Sequence, residues 1–149
     1  MTAAKKDDWQ TKPFPAITKS LAFERRYTPH EMEQIKLGLV PREMEDKWFI
    51  YEENGVLNFC RSWTGHHIYQ LHFTAADGGY SVSNTIVNRY PAEYNQDDDA
   101  YDIAFLNYLI DRLLLNKEVP FPSPGQIEQD KAAIFRHSMV GYGRSNKDA

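Results

Sequence analysis

The 149-residue sequence predicts an α+β domain: a four-stranded antiparallel β-meander with helices packed mainly on one face. Three observations carry that expectation. Residues 47–89 hold four stretches rich in aromatic and β-branched residues, separated by the turn residues Asn54-Gly55, Trp63-Thr64-Gly65 and Asp77-Gly78-Gly79. Further on, Ile103, Leu106, Leu109, Ile110, Leu113 and Leu114 recur at helical spacing. Apolar residues make up 42% of the chain, enough to fill the core of one domain of this length.

Residues 1–20 include Lys12-Pro13-Phe14-Pro15 and read as an extended arm, laid over the domain through Trp9, Phe14 and Ile17. A first helix starts after Thr28 as N-cap, with Pro29 in the first position and Glu31 completing a capping box. It should run to about Leu37, stop at a left-handed Gly38, and be kept from resuming by Pro41. In the first strand, "WFIY" (48–51) is apolar on both sides, which asks for cover on both faces, the arm being one source.

Register follows from the turns. A three-residue Trp63-Thr64-Gly65 loop pairs Ser62 with His66 and puts Leu57, Phe59, Arg61, His67, Tyr69, Leu71 and Phe73 on one face. Gly65 then takes the left-handed position of the loop. A two-residue Asp77-Gly78 turn pairs Phe73 with Val82 and Tyr69 with Ile86, bringing Tyr80, Val82 and Ile86 to that face and sending Ser81, Ser83, Thr85 and Arg89 to the other. A second helix is expected from Asp98 to about Leu115, then a proline-rich connector (119–125) and a last helix from about Gln126 to Met139. The organisation is an arm (1–20), one domain (21–140) and a mobile tail (141–149).

Seventeen Lys and Arg against 21 Asp and Glu give a net charge of −4, which argues against a general nucleic-acid binder. The single cysteine, Cys60, excludes an intrachain disulfide and fits a reducing compartment. No apolar run reaches the length of a membrane span, and the N-terminus lacks the apolar core of a secretion signal. The expected location is the cytoplasm, with no membrane partner.

The expected registers align Arg61 with His67 and His67 with Asn88, in a row at the sheet end that bears the Trp63 loop. Arg supplies a planar fork for phosphate or carboxylate, Asn supplies donor and acceptor, and Trp63 or Tyr90 can stack on a ring. The candidate ligand-binding set is therefore Arg61, Trp63, His67, Asn88 and Tyr90, for an anionic nucleotide-like or phosphorylated small molecule. The structural alternative has Arg61 binding helix C-terminal carbonyls, with His67 and Asn88 as polar neighbours.

Other constellations are weaker. His67 and His72 have opposite strand parity, and His66 lies about 20 Å along the strand from His72, so no metal site is expected. No cofactor is implied. Asp97-Asp98-Asp99 reads as a helix cap with acid in the first turn. Cys60 has no adjacent base to lower its thiol pKa. His72-Phe73-Thr74 matches half of the two-histidine phosphoesterase signature, without the second copy. Gly141-Tyr142-Gly143 lacks the strand-then-helix context of a phosphate loop.

Over about residues 25–115, the chain resembles a group of small, uncharacterised bacterial and phage-type proteins. The residues that carry the likeness are Lys47-Trp48-Phe49-Ile50-Tyr51, Arg61 through Gly65, Asn88-Arg89 and Tyr108 through Leu115. The resemblance implies a discrete domain and an association with ADP-ribose- or NAD-related conflict systems, and brings no catalytic residues. Cys60 stands where members of the group have another residue, which weighs against a cysteine nucleophile.

Two functions compete. One is binding, with processing as an extension, of the anionic ligand just described; an enzyme would have to use His67 as its base. The alternative is a protein-interaction module, an inhibitor or immunity-type partner. It fits the small size, the acidic balance, the extended arm and the lack of a convincing catalytic set.

Overall fold

A computed structural model of the chain describes residues 2–122. The expected last helix (126–139) and tail (141–149) lie outside the described residues. Among the described residues the fold is α+β, with an antiparallel sheet, two α-helices and a short 3-10 turn over Lys6–Asp8. The helix α1 spans Pro29–Leu37, as its end signals require: the Thr28 hydroxyl accepts from the Glu31 amide, and the Glu31 carboxylate accepts from the Thr28 amide. Gly38 closes it with φ +66° and donates its amide to the Ile35 carbonyl.

The sheet has six strands rather than four. They are β1 (Thr18–Ser20), β2 (Arg26–Tyr27), β3 (Trp48–Glu53), β4 (Val56–Arg61), β5 (His67–Ala76) and β6 (Gly79–Asn88). The order is β1-β6-β5-β4-β3, with β2 also on β6. The two added strands line the outer edge of β6, where Thr18 sits opposite Asn88 and Tyr27 opposite Tyr80. Thr18–Ser20 is exposed throughout, so no apolar alternation marks it, and Arg26–Tyr27 is only two residues long, with Tyr27 buried in the larger core. The end of the expected arm is thus a sheet strand.

Two β-bulges change the expected register. Between β4 and β5, Phe59 faces Tyr69 as expected, but Cys60 then faces His67. The loop is four residues, Ser62–Gly65, closed by the Arg61 amide on the His66 carbonyl. The extra loop residue is compensated by the bulge, which turns His67 to the opposite face. Gly65 does take the left-handed position, with φ +81°. Between β5 and β6, Phe73 faces Val82 as expected, but His72 faces Asn84 and Tyr69 faces Val87 instead of Ile86. Thr85, Val87 and Arg89 therefore turn to the core side, and Ile86 and Asn88 turn away from it.

The larger core joins Trp48, Leu57, Phe59, Tyr69, Leu71 and Val87 of the sheet to Met32 and Ile35 of α1 and Phe105, Leu106 and Leu109 of α2 (Asp99–Leu109). Behind β3 and β4, a smaller core of Phe49, Tyr51 and Cys60 is closed by Ala4 of the arm. The double-sided "WFIY" strand is covered as its pattern demands. The second helix begins where expected, with the Asp98 carboxylate accepting from the Tyr101 amide. It ends as an α-helix at Leu109 and continues as a wider π-type turn over Ile110–Leu114. Among the described residues no helix is long and apolar enough to cross a membrane.

Candidate functional site

The bulges divide the row Arg61, His67, Asn88. Arg61 lies opposite Trp48 on the larger-core side, its guanidinium carbon 5.1 Å from the Trp48 ring centroid. His67 lies on the other side of the sheet, its ring 6.2 Å from Tyr51 and 5.4 Å from Phe14. Asn88 stays beside His67 and donates to its carbonyl at 2.8 Å. Two of the three residues are brought together, and the guanidinium is not with them.

His67 and Asn88 have their polar atoms engaged inside the protein. The His67 ring nitrogens lie 2.9 Å from the Lys12 carbonyl and 2.8 Å from Asn58 Oδ1. Burial lowers the His67 pKa from its usual value, against the pull of the Lys12 carbonyl. Asn88 also donates to Glu93, and its Oδ1 accepts from the Tyr90 amide at 2.8 Å. It thereby shapes the turn that follows β6, on which the Tyr90 ring is exposed. Cys60 is fully buried, and burial pushes its thiol up to about 12. Native protein at about pH 8 should therefore resist iodoacetamide, and guanidinium-unfolded protein should label fully, as mass spectrometry will show.

Trp63 lies elsewhere, in an open groove of about 530 Å³ formed by three segments. The arm contributes Trp9 and Gln10, the loop before β3 contributes Arg42, Glu43 and Met44, and the β4–β5 loop contributes Ser62 and Trp63. Five large hydrophobic side chains are left exposed among the described residues, and three of them, Trp9, Met44 and Trp63, line this groove. That concentration separates it from scattered surface apolar residues.

The groove is built by hydrogen bonds. Asp46 Oδ2 accepts from the Arg42 and Glu43 amides and shapes the loop that presents Met44. The Ser62 hydroxyl donates to the Asp46 carbonyl at 2.6 Å, tying that loop to the hairpin. Trp63 Nε1 donates to the Met44 carbonyl, and Lys47 Nζ lies 3.7 Å from the Trp63 ring centroid. Trp9 Nε1 donates to the Ser62 carbonyl at 2.7 Å. Both indoles are thus held by their polar edges, which fixes their rings in place before anything binds.

Of this groove the sequence marked only Trp63 as a site residue, with Trp9 read as cover. Arg42 and Met44 join it through the turn that Asp46 imposes, which no spacing pattern displays. A separate polar cluster lies in the larger core: the Asp102 carboxylate accepts from the Tyr69 and Tyr94 hydroxyls, each at 2.6 Å, and contacts Arg89 Nη2 at 2.6 Å. Burial first, then the nearby charges of this cluster, hold both tyrosines well above their usual pKa. Among the described residues, no group of three or more His, Cys, Asp or Glu side chains is arranged to hold a metal ion.

No protein-family model matches the chain, and neither a curated protein nor a solved structure matches it.

Proposed function

We propose that this protein is an interaction module whose docking face is the Trp9–Met44–Trp63 groove. The observation that carries this reading is the convergence of three exposed apolar side chains, two of them indoles locked by hydrogen bonds. Trp is the residue most often found to dominate binding energy at protein interfaces, and Met adapts to an incoming shape.

The occupant we assign is a segment of another protein that inserts an apolar anchor beside a basic side chain. Charge complementarity favours it. Glu43 stands on the lip, and its pKa is raised by a hydrogen bond and charge repulsion from Glu45. Neither glutamate forms an ion pair among the described residues, and the whole chain carries −4. A lysine or arginine on the partner relieves that repulsion. Arg42 adds a donor to the polar rim.

The competing occupant, an anionic nucleotide-like molecule, is less well served. Both indole N–H groups and the Gln10 amide nitrogen already donate to backbone carbonyls. Arg42 is then the cation among the lining residues, next to a carboxylate that repels phosphate, and the Lys47 ammonium beside the groove is drawn over the Trp63 ring. Selection from a random peptide display library tests the choice. Peptides with an aromatic or aliphatic anchor next to Lys or Arg should be enriched, and Trp63→Ala should weaken them about 30-fold or more. No such enrichment would overturn the reading, and calorimetric heat with ADP-ribose or NAD that Trp63→Ala abolishes would assign the groove to the small molecule.

A further inference from the structure

We propose that residues 9–14 act as a strap whose closure builds the docking groove, with His67 as the latch that holds the strap shut. This rests on the docking reading and adds its regulation. The strap supplies Trp9 and Gln10, and neither would line the groove without it.

The attachments are mostly polar, with one ring contact, Phe14 against His67 at 5.4 Å. Trp9 and Gln10 donate to the carbonyls of Ser62 and Trp63, at 2.7 to 3.1 Å. The Lys12 amide donates to the Gly65 carbonyl at 2.7 Å, and His67 Nδ1 lies 2.9 Å from the Lys12 carbonyl, so Lys12 is gripped on both sides of its peptide unit. Trp9, Gln10, Lys12 and Pro13 are exposed, and Thr11 and Phe14 are partly buried. A segment held this way balances hydrogen bonds against the entropy of ordering each residue, with little buried apolar area to tip the balance, so losing one bond changes its closed population strongly.

His67 is suited to be the latch because the sheet holds it from behind. Asn58 Oδ1 lies 2.8 Å from its Nε2, and Asn58 is itself held by the Gln70 side chain. Tyr51 packs edge-on against the same ring, so the strap's carbonyl meets an imidazole seated against the sheet, whose single N–H in the neutral form serves one of the two oxygens. The Gly65 carbonyl is equally fixed, since the Gly65 amide donates to the Arg61 carbonyl across the loop. The strap runs directly against Gly65: a Cβ there would lie in van der Waals contact, 3.4 Å from the Gln10 carbonyl oxygen and from Thr11 Cα.

Because partner binding and strap closure favour the same state, each must strengthen the other. The test uses the full-length protein and a display-selected groove peptide. The peptide should slow hydrogen exchange of the Lys12 amide, which does not line the groove. Two variants that leave the groove lining untouched, His67→Ala and Lys12→Pro, should each weaken the peptide about tenfold by lowering the closed fraction. Lys12→Pro removes an amide on an exposed residue and leaves the sheet intact, which separates strap loss from misfolding. If Trp63→Ala abolishes binding while Lys12→Pro leaves the affinity unchanged and the peptide does not slow exchange of the Lys12 amide in the unsubstituted protein, the strap is refuted and the docking reading stands. If Trp63→Ala has no effect either, the docking reading falls with it.

Discussion

Gly38→Ala is expected to lower the unfolding free energy by about 4 kcal/mol, a loss near the top of the range for single substitutions. Gly38 has φ +66° and ψ −156°, a region that only glycine occupies without strain. Space is closed as well. A Cβ would lie 2.2 Å from the Ile50 carbonyl oxygen and 3.0 Å from the Ala4 side chain. The Ile50 oxygen cannot retreat, because it accepts from the Leu39 amide at 2.8 Å while the Ile50 amide donates back at 2.9 Å. That pair ties the end of α1 to β3, and Ile50 is fully buried. Urea unfolding measures the loss; a change below about 1 kcal/mol would mean that this junction can relax.

Asp102→Asn is expected to cost about 3 kcal/mol, although it changes almost no volume. The Asp102 side chain is fully buried and its carboxylate is the hub of the core polar cluster. One oxygen takes both tyrosine hydroxyls; the other meets Arg89 through charge rather than through an aligned hydrogen bond. An amide has one acceptor oxygen and one NH₂ group. Either the tyrosines or the guanidinium then faces a donor, and at least one buried donor loses its acceptor. Arg89 keeps Asp99 and the Gln96 carbonyl, which holds the cost near the lower end for a broken buried pair. Asp99→Asn at the half-exposed member should cost about 1 kcal/mol or less. A cycle with Tyr94→Phe should show strong non-additivity, because both changes empty the same site.

These two positions also show what the sequence could convey. Gly38 was legible: a capping box at Thr28 and Glu31, an apolar turn, then Gly before Pro41 is a local signal, and local hydrogen bonding decides it. Asp98 was legible for the same reason. The partners of Asp102 were not. Arg89 points to the core only because the β6 bulge shifts parity between Phe73 and Thr85, and a bulge adds one residue without changing the composition of the strand. The β4–β5 bulge did the same to His67, which is why a row read from ideal pairing came apart at Arg61. The outer strands Thr18–Ser20 and Arg26–Tyr27 pair along β6 through backbone groups that every residue carries. For the groove, the tryptophans could be read but their meeting could not. It depends on the Asp46-shaped turn and on side-chain bonds that span more than 50 residues, Trp9 to Ser62 among them.

The Trp9–Met44–Trp63 groove is the proposed binding face. Nitrogen-edited NMR of the full-length protein, titrated with a display-selected peptide, addresses it most directly, because the two indole N–H groups report separately from the backbone. Shifts are expected at the Trp9 and Trp63 indoles and at the Met44 and Gln10 amides, with the Asn88 side-chain amide and the Tyr90 backbone amide unmoved. Shifts centred on Asn88 and Tyr90, with both groove indoles unchanged, would contradict it.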